Sequence, residues 1–289
     1  MAGAPISEGA PQGEALSSAV ESFRAAGIQM PRLDAEVLLS GVTGRDRANL
    51  IAEPDTALTP AQSRSFATAV RRRLRREPVA YILGSKGFRY IDLIVDPRVL
   101  VPRPESEMLV ELALELKPRT VLEIGTGSGA IALAVANEIP DCEVIATDIS
   151  PDAIAVASAN AVNLELDDRV EFELGSLPDG GSFDLILANL PYVADGAGLS
   201  PEIRSWEPEV AVFAGKTGYE TFEEVLGELP GSGIECGTIG LEIGYGMGDV
   251  VSELVEKAGF PDVTLWPDLA GIGRVVVGDG RTSPPESAY

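Results

Sequence analysis

Three short stretches hold residues whose types and spacing could do chemistry. Glu123 precedes the turn Gly125-Thr126-Gly127-Ser128-Gly129, Asp148 follows about twenty residues beyond it, and Asn189-Leu190-Pro191-Tyr192 ends an apolar run. Glycines let a ligand approach the backbone closely, and a turn that opens a helix presents free N–H groups. Glu123 could accept hydrogen bonds from that ligand. A carboxylate at the spacing of Asp148 can grip ribose hydroxyls. The chain has no histidine, which excludes any mechanism built on a histidine base or ligand.

These residues need elements to position them. Thr120–Ile124 is short, apolar and β-branched, which predicts a buried strand. Ala130–Glu138, rich in Ala and Leu, predicts a helix after the turn. A second strand runs through EVIATDI, 143–149, and a third apolar strand, DLILA, leads into Asn189. The pattern then alternates, with strands near 120–124, 143–147, 170–173, 183–188, 238–243, 262–266 and 273–277 and helices between most of them. That is a doubly wound, mostly parallel sheet. Ligands of such sheets bind beyond the carboxyl ends of the strands. Glu123, Asp148 and Asn189 all lie at those ends, so they can converge.

Composition narrows the function classes. The chain has 289 residues, 45% of them hydrophobic, enough for one or two globular domains with ample core. No run of eighteen apolar residues occurs, so no membrane span is expected, and the N-terminal stretch lacks a basic, apolar secretory pattern, which implies the cytoplasm. Cys142 and Cys236 form no metal spacing, and no metal site is expected. The net charge of −23 is uneven: residues 1–104 carry 14 Lys+Arg against 11 Asp+Glu, whereas residues 105–289 carry 8 against 34. An acidic second part should repel nucleic acid phosphates, so no direct nucleic acid binding is expected.

Residues 1–13 are small and rich in Gly and Pro, which predicts disorder. Residues 15–26 and 31–40 show helical periodicity, and Thr59-Pro60 resembles a cap with Pro at the first helical position, opening a helix to about Arg76. Residues 14–84 are therefore expected as a small helical domain. Arg71, Arg72, Arg73, Arg75 and Arg76 form a basic cluster, either a solvated helix end or a docking patch. Residues 85–104 are expected as a linker built on a hairpin of 88–95 with 98–101, stiffened by Pro102-Arg103-Pro104 before a helix from about Glu105 to Leu116. The catalytic domain should then run over 105–280, leaving 281–289 as a polar tail.

The glycine spacing is G-x-G-x-G after an acid, not the G-x-G-x-x-G of dinucleotide sites. It resembles the S-adenosylmethionine turn of class I methyltransferases. Asn-x-Pro-Tyr resembles the catalytic loop of enzymes that methylate planar amide or amino nitrogens. EPVAYILG, VDPRVLVPRPESE, EIGTGSGAIALA, TDISPDAIAVASAN, EPEVAVFAG and LEIGYGMG follow in order from Glu77 to Gly248. In that combination the chain resembles, from about Leu16 to Val277, the release-factor glutamine N5-methyltransferase family (HemK/PrmC type).

The resemblance implies an α/β fold: a seven-stranded class I methyltransferase (Rossmann-like) domain preceded by a small helical substrate-recognition domain and a β-hairpin linker. It implies S-adenosylmethionine as cofactor, held by Glu123, Gly125, Thr126, Gly127, Ser128, Gly129, Asp148, Ile149, Leu177 and Asn189. It implies catalysis and substrate binding by Asn189, Leu190, Pro191 and Tyr192. The Asn189 side-chain oxygen and the Leu190 carbonyl would each accept one N–H of the substrate amide. Pro191 forces Leu190 toward extended geometry, and Tyr192 offers a flat face. The substrate would be the glutamine of the Gly-Gly-Gln motif in peptide-chain release factors, met by a monomer.

The family usually has Pro where this chain has Leu190, often an aromatic residue where it has Leu177, usually His where it has Trp206, and usually Thr where it has Ser106. Alternative readings are a glutamine methyltransferase of a ribosomal protein, an adenine-N6 nucleic acid methyltransferase, and a non-catalytic S-adenosylmethionine-binding protein.

Overall fold

A computed structural model describes residues 6–280. Positions 1–5 of the segment expected to be disordered, and the expected tail at 281–289, lie outside the described residues. The chain divides into two compact units: one takes in the chain through Ser85 together with Leu199–Trp206, and the other holds Lys86–Gly198 and the chain from Glu207.

The first unit is helical, with helices Gln12–Ala25, Pro31–Thr43, Arg47–Ala52, Pro60–Leu74, Val79–Leu83 and Pro201–Trp206. Phe23, Leu38, Leu39 and Phe66 are fully buried at its centre. Thr59 and Gln62 form a reciprocal capping box around Pro60, at 3.2 and 2.9 Å. Order begins before residue 14. Gln12 is buried, and its Nε2 donates to the carbonyls of Leu50 and Glu53 at 3.2 and 2.6 Å. Those carbonyls end the helix Arg47–Ala52 and need donors, which ties the chain down early.

The arginine cluster is mostly internal. Arg73 is buried, bonding Asp34 at 2.7 Å and Glu202 at 3.0 Å. Arg76 bonds Glu202 at 3.2 Å and the carbonyl of Gly27 at 3.2 Å, and Arg72 bonds Glu77 at 2.8 Å. Arg71 and Arg75 stay exposed. Trp206 donates its ring N–H to the Arg75 carbonyl at 3.2 Å.

The second unit opens with a hairpin, but not the expected one. Ser85–Phe88 pairs with Ile91–Ile94. Residues 98–101 form no strand; they lie between Pro97 and Pro102, which have no N–H to donate to a ladder. A short 3₁₀ turn, Pro104–Ser106, precedes the helix Glu107–Leu116.

The seven-stranded sheet is built from β1 (Thr120–Ile124), β2 (Glu143–Asp148), β3 (Val170–Leu174), β4 (Gly181–Ala188), β5 (Ile234–Glu242), β6 (Asp262–Pro267) and β7 (Gly273–Asp279). Its order is β6-β7-β5-β4-β1-β2-β3. The first five strands pair in parallel; β7 is antiparallel to both of its neighbours. Parallel strands buried on both faces read as continuous apolar runs, as at 185–188 of β4, whereas the edge strand β3 is mixed and partly exposed. Leu122, Ile186 and Ile239 share one core cluster with Phe222 of the helix Glu220–Glu228 and Val251 of the helix Gly248–Lys257. On β5 a side chain at Gly240 would meet Leu112 of the helix Glu107–Leu116 at 2.5 Å, so that helix needs a glycine beneath it. The helices Ala130–Glu138 and Pro151–Asn163 connect β1 to β2 and β2 to β3. No helix among the described residues is long and apolar enough to cross a membrane.

Candidate active site

The ends of β1, β2 and β4 surround one cavity of about 290 Å³. Gly125–Ser128, Asp148, Ile149 and Asn189–Pro191 all line it. The expected convergence therefore occurs for most of the predicted residues. The glycine turn and the Asn-Leu-Pro loop abut: a side chain at Gly125 would lie 3.4 Å from Leu190 and 3.8 Å from the Asn189 carbonyl. Gly125 and Gly127 take left-handed φ of +76° and +56°, which only glycine adopts readily.

Each acid near the turn has a distinct partner set. Asp148 Oδ2 accepts the Gly127 N–H at 2.9 Å, and its Oδ1 accepts the Ser150 N–H at 2.9 Å. Burial pushes the Asp148 carboxyl up, while those two N–H groups pull it back. Glu123 is buried, and its Oε2 accepts from Thr126 Oγ1 at 2.6 Å and from the Ala132 N–H at 3.0 Å. Glu123 thus braces the turn against the helix Ala130–Glu138, and burial raises its carboxyl to about 8.

Three predicted residues are placed differently from expectation. Gly129 does not line the cavity; it starts the helix at φ +82°, and a side chain there would meet Leu133 at 2.9 Å. Leu177 is half-buried against the core cluster, and Gly175 and Ser176 line the cavity in its place. The reason lies in the strand end: Asp148 O accepts the Gly175 N–H and Thr147 Oγ1 bonds the Ser176 carbonyl, both at 2.9 Å, which draws those two residues to the cavity. Tyr192 is also off the cavity wall. Its ring lies where a side chain at Gly244 would meet it at 3.1 Å, and its hydroxyl is 3.5 Å from Glu242 Oε1. Burial and the Glu242 charge push the Tyr192 hydroxyl up to about 12.

Asn189 donates its Nδ2 to Ser106 Oγ at 2.8 Å, and Leu190 is buried in the core cluster. Sequence reasoning missed several supports. Arg103, on the cavity wall, holds the buried Glu207 with both carboxylate oxygens within 2.8 Å. Asn160 is fully buried; it donates to the carbonyls of Ser128 and Ile94 and accepts the Ile94 N–H, stitching the hairpin to the glycine turn. Glu242 is buried at the end of β5, and burial raises its carboxyl to about 7. The signal that found Glu123, an acid closing an apolar strand, would also have found Glu242.

Residues 14–84 match the PrmC N-terminal domain, and residues 116–213 match a methyltransferase domain. The release factor glutamine methyltransferase of Koribacter versatilis is 39% identical over 278 residues, covering 93% of this chain and 99% of that one. Its namesake in Geobacter sulfurreducens is 39% identical over 87% of this chain and 90% of its own length. The Salmonella typhimurium protein of the same name is 38% identical over 86% and 92%. Among solved structures, a methyltransferase from Pyrococcus furiosus aligns with a TM-score of 0.51 at 20% identity, covering 74% of this chain and 98% of that one. The catalytic domain of hMettl16 with a MAT2A 3′UTR hairpin aligns with a TM-score of 0.53 at 13% identity, over 75% and 82%. Those two similarities speak to fold alone.

Proposed function

This chain belongs to the release factor glutamine methyltransferase family, and on that footing we propose that it methylates the side-chain amide N5 of the glutamine in the Gly-Gly-Gln motif of peptide-chain release factors. It is an S-adenosylmethionine-dependent enzyme with a class I methyltransferase fold. The observation that carries the reading is the single cavity lined both by the glycine turn and by Asn189, Leu190 and Pro191. A cofactor lying on the turn and an amide held by the loop would share that space.

The residues fit the cofactor. Gly125 and Gly127 leave the backbone open, Asp148 stands at the end of β2, and the exposed Ile149 offers an apolar cover beside it. S-adenosylmethionine, when bound, supplies a methyl group on a sulfonium centre. The protein's own task is orientation, because the lone pair of an amide nitrogen is delocalised into its carbonyl. Asn189 Oδ1 and the Leu190 carbonyl accept the two N–H groups of the glutamine amide in this reading. Fixing that geometry can supply up to about 7–11 kcal/mol. Pro191 aims the Leu190 carbonyl, and Tyr192 braces the loop from behind.

The acidic charge of residues 105–289 favours a protein substrate over nucleic acid. Release-factor recognition is assigned to the helical unit, where the exposed Arg71 and Arg75 remain as cations to meet an acidic partner. Incubation with release factor and S-adenosylmethionine, read by mass spectrometry, should show one added methyl on that glutamine. Methylation of a ribosomal protein instead, or no added methyl at all, would overturn the assignment.

A further inference from the structure

The Asn189 carboxamide has two ends of nearly equal shape and opposite hydrogen-bonding character. Only the oxygen can accept an N–H from a substrate amide, so something must hold that end toward the cavity. Asn189 Nδ2 donates to Ser106 Oγ, and Ser106 is buried. A serine hydroxyl has one hydrogen. Ser106 keeps accepting from Asn189 only while its own hydrogen is given elsewhere.

Glu242 offers the place. It is buried, its Oε2 has no hydrogen-bond partner among the described residues, and the Ser106 hydroxyl favours its ionised form. A buried acceptor without a donor is costly, and the Ser106 hydroxyl carries one hydrogen that could meet it. We propose that Glu242 is a positioning residue for the methyl acceptor, setting through Ser106 which end of the Asn189 amide faces the cavity. The proposal rests on the reading of Asn189 Oδ1 as an acceptor for the glutamine N–H.

The arrangement makes turnover depend on a proton. Burial raises the Glu242 carboxyl to about 7; Ser106 and Tyr192 lower it, Glu105 raises it by its charge and Arg274 lowers it. Above that pH the carboxylate accepts from Ser106, Ser106 accepts from Nδ2, and Oδ1 faces the cavity. Below it, a proton taken from solvent sits on Glu242 and is donated to Ser106. The Ser106 hydrogen then turns to Asn189 Oδ1, the amide rotates, and Nδ2 meets the substrate N–H donor to donor. The fall in rate belongs to kcat at saturating cofactor, not to cofactor affinity.

The test measures kcat against pH from about 6 to about 9 with release factor and S-adenosylmethionine saturating. Wild type should lose activity on the acid side with a midpoint near the raised carboxyl. Glu242→Gln and Ser106→Ala should lower kcat by about tenfold at high pH, abolish the acid limb, and leave calorimetric cofactor affinity within about twofold. Ser106→Thr, which keeps the hydroxyl, should keep the limb. If Glu242→Gln does not fold, Ser106→Ala decides alone. A flat wild-type profile, or an acid limb that survives in Ser106→Ala, would overturn the proposal. Persistent methylation by Asn189→Ala would instead overturn the reading beneath it, and so the two failures are separable.

Discussion

Asp148 Oδ2 accepts the Gly127 N–H at 2.9 Å, so the carboxylate at the end of β2 shapes the glycine turn after β1. The two features expected to hold one ligand are therefore coupled before any ligand arrives. Asp148→Ala should weaken S-adenosylmethionine binding on the order of 1.5–3 kcal/mol, the worth of a charge-assisted hydrogen bond. Turnover at saturating cofactor should fall much less. Calorimetric affinity equal to wild type would remove Asp148 from the cofactor site.

Glu123 links pH to stability. Its folded carboxyl is raised by burial from the ordinary 4.5 to about 8, with Thr126 and the Ala132 N–H opposing and Asp148 assisting. Between those values the folded state binds the proton that the unfolded state has released. The contribution to stability is thus full below the ordinary value and lost as pH rises through about 8. Glu123→Gln mimics the neutral acid. It should melt close to wild type at about pH 5 and above it at about pH 9, read by calorimetry. An equal gap at both pH values would show that the carboxyl does not titrate in this window.

The arginine cluster shows where a linear reading stops. Five arginines in six positions look like one surface patch, yet Arg73 is buried between Asp34 and Glu202. Removing one partner of a buried ion pair leaves an unpaired charge and costs about 3–5 kcal/mol. Arg73→Glu, which also sets like charges together, should unfold the helical unit and appear as a large fall in melting temperature. Arg71→Glu and Arg75→Glu should leave stability within about 0.5 kcal/mol, because both side chains are exposed. Release-factor affinity measured on those two variants then tests recognition without confounding it with folding.

The same limit explains the site. The glycine turn, Asp148 and Asn189 were legible because strand periodicity and turn chemistry are local. Ser106 meets Asn189 across 83 positions, Tyr192 meets Glu242 across 50, and Arg103 meets Glu207 across 104. Such pairings follow from sheet order, which no local pattern encodes. Leu177 fell outside the cavity because hydrogen bonds at the end of β2 draw Gly175 and Ser176 there instead. The β-branched pattern of 98–101 forms no hairpin strand because two flanking prolines cannot donate.

Leu190 is where the chain departs from its family and where loop and turn touch. Its side chain is buried in the core cluster and faces Gly125. Leu190→Ala should open a cavity, cost about 2–5 kcal/mol and release the loop from the turn, lowering kcat along with the melting temperature. Leu190→Pro keeps the backbone carbonyl and fixes φ near the extended range, so it should retain or raise turnover while losing part of the apolar contact. Asn189→Ala removes the side-chain acceptor alone: methyl transfer should nearly vanish, with cofactor affinity nearly intact. The three variants separate anchoring, loop stiffness and amide recognition. Measured together by methyl incorporation and calorimetry, they should order turnover as Leu190→Pro, then Leu190→Ala, then Asn189→Ala. A wild-type protein that binds cofactor and release factor without methylating it, while Leu190→Pro does methylate it, would make Leu190 an inactivating departure and not a tolerated one.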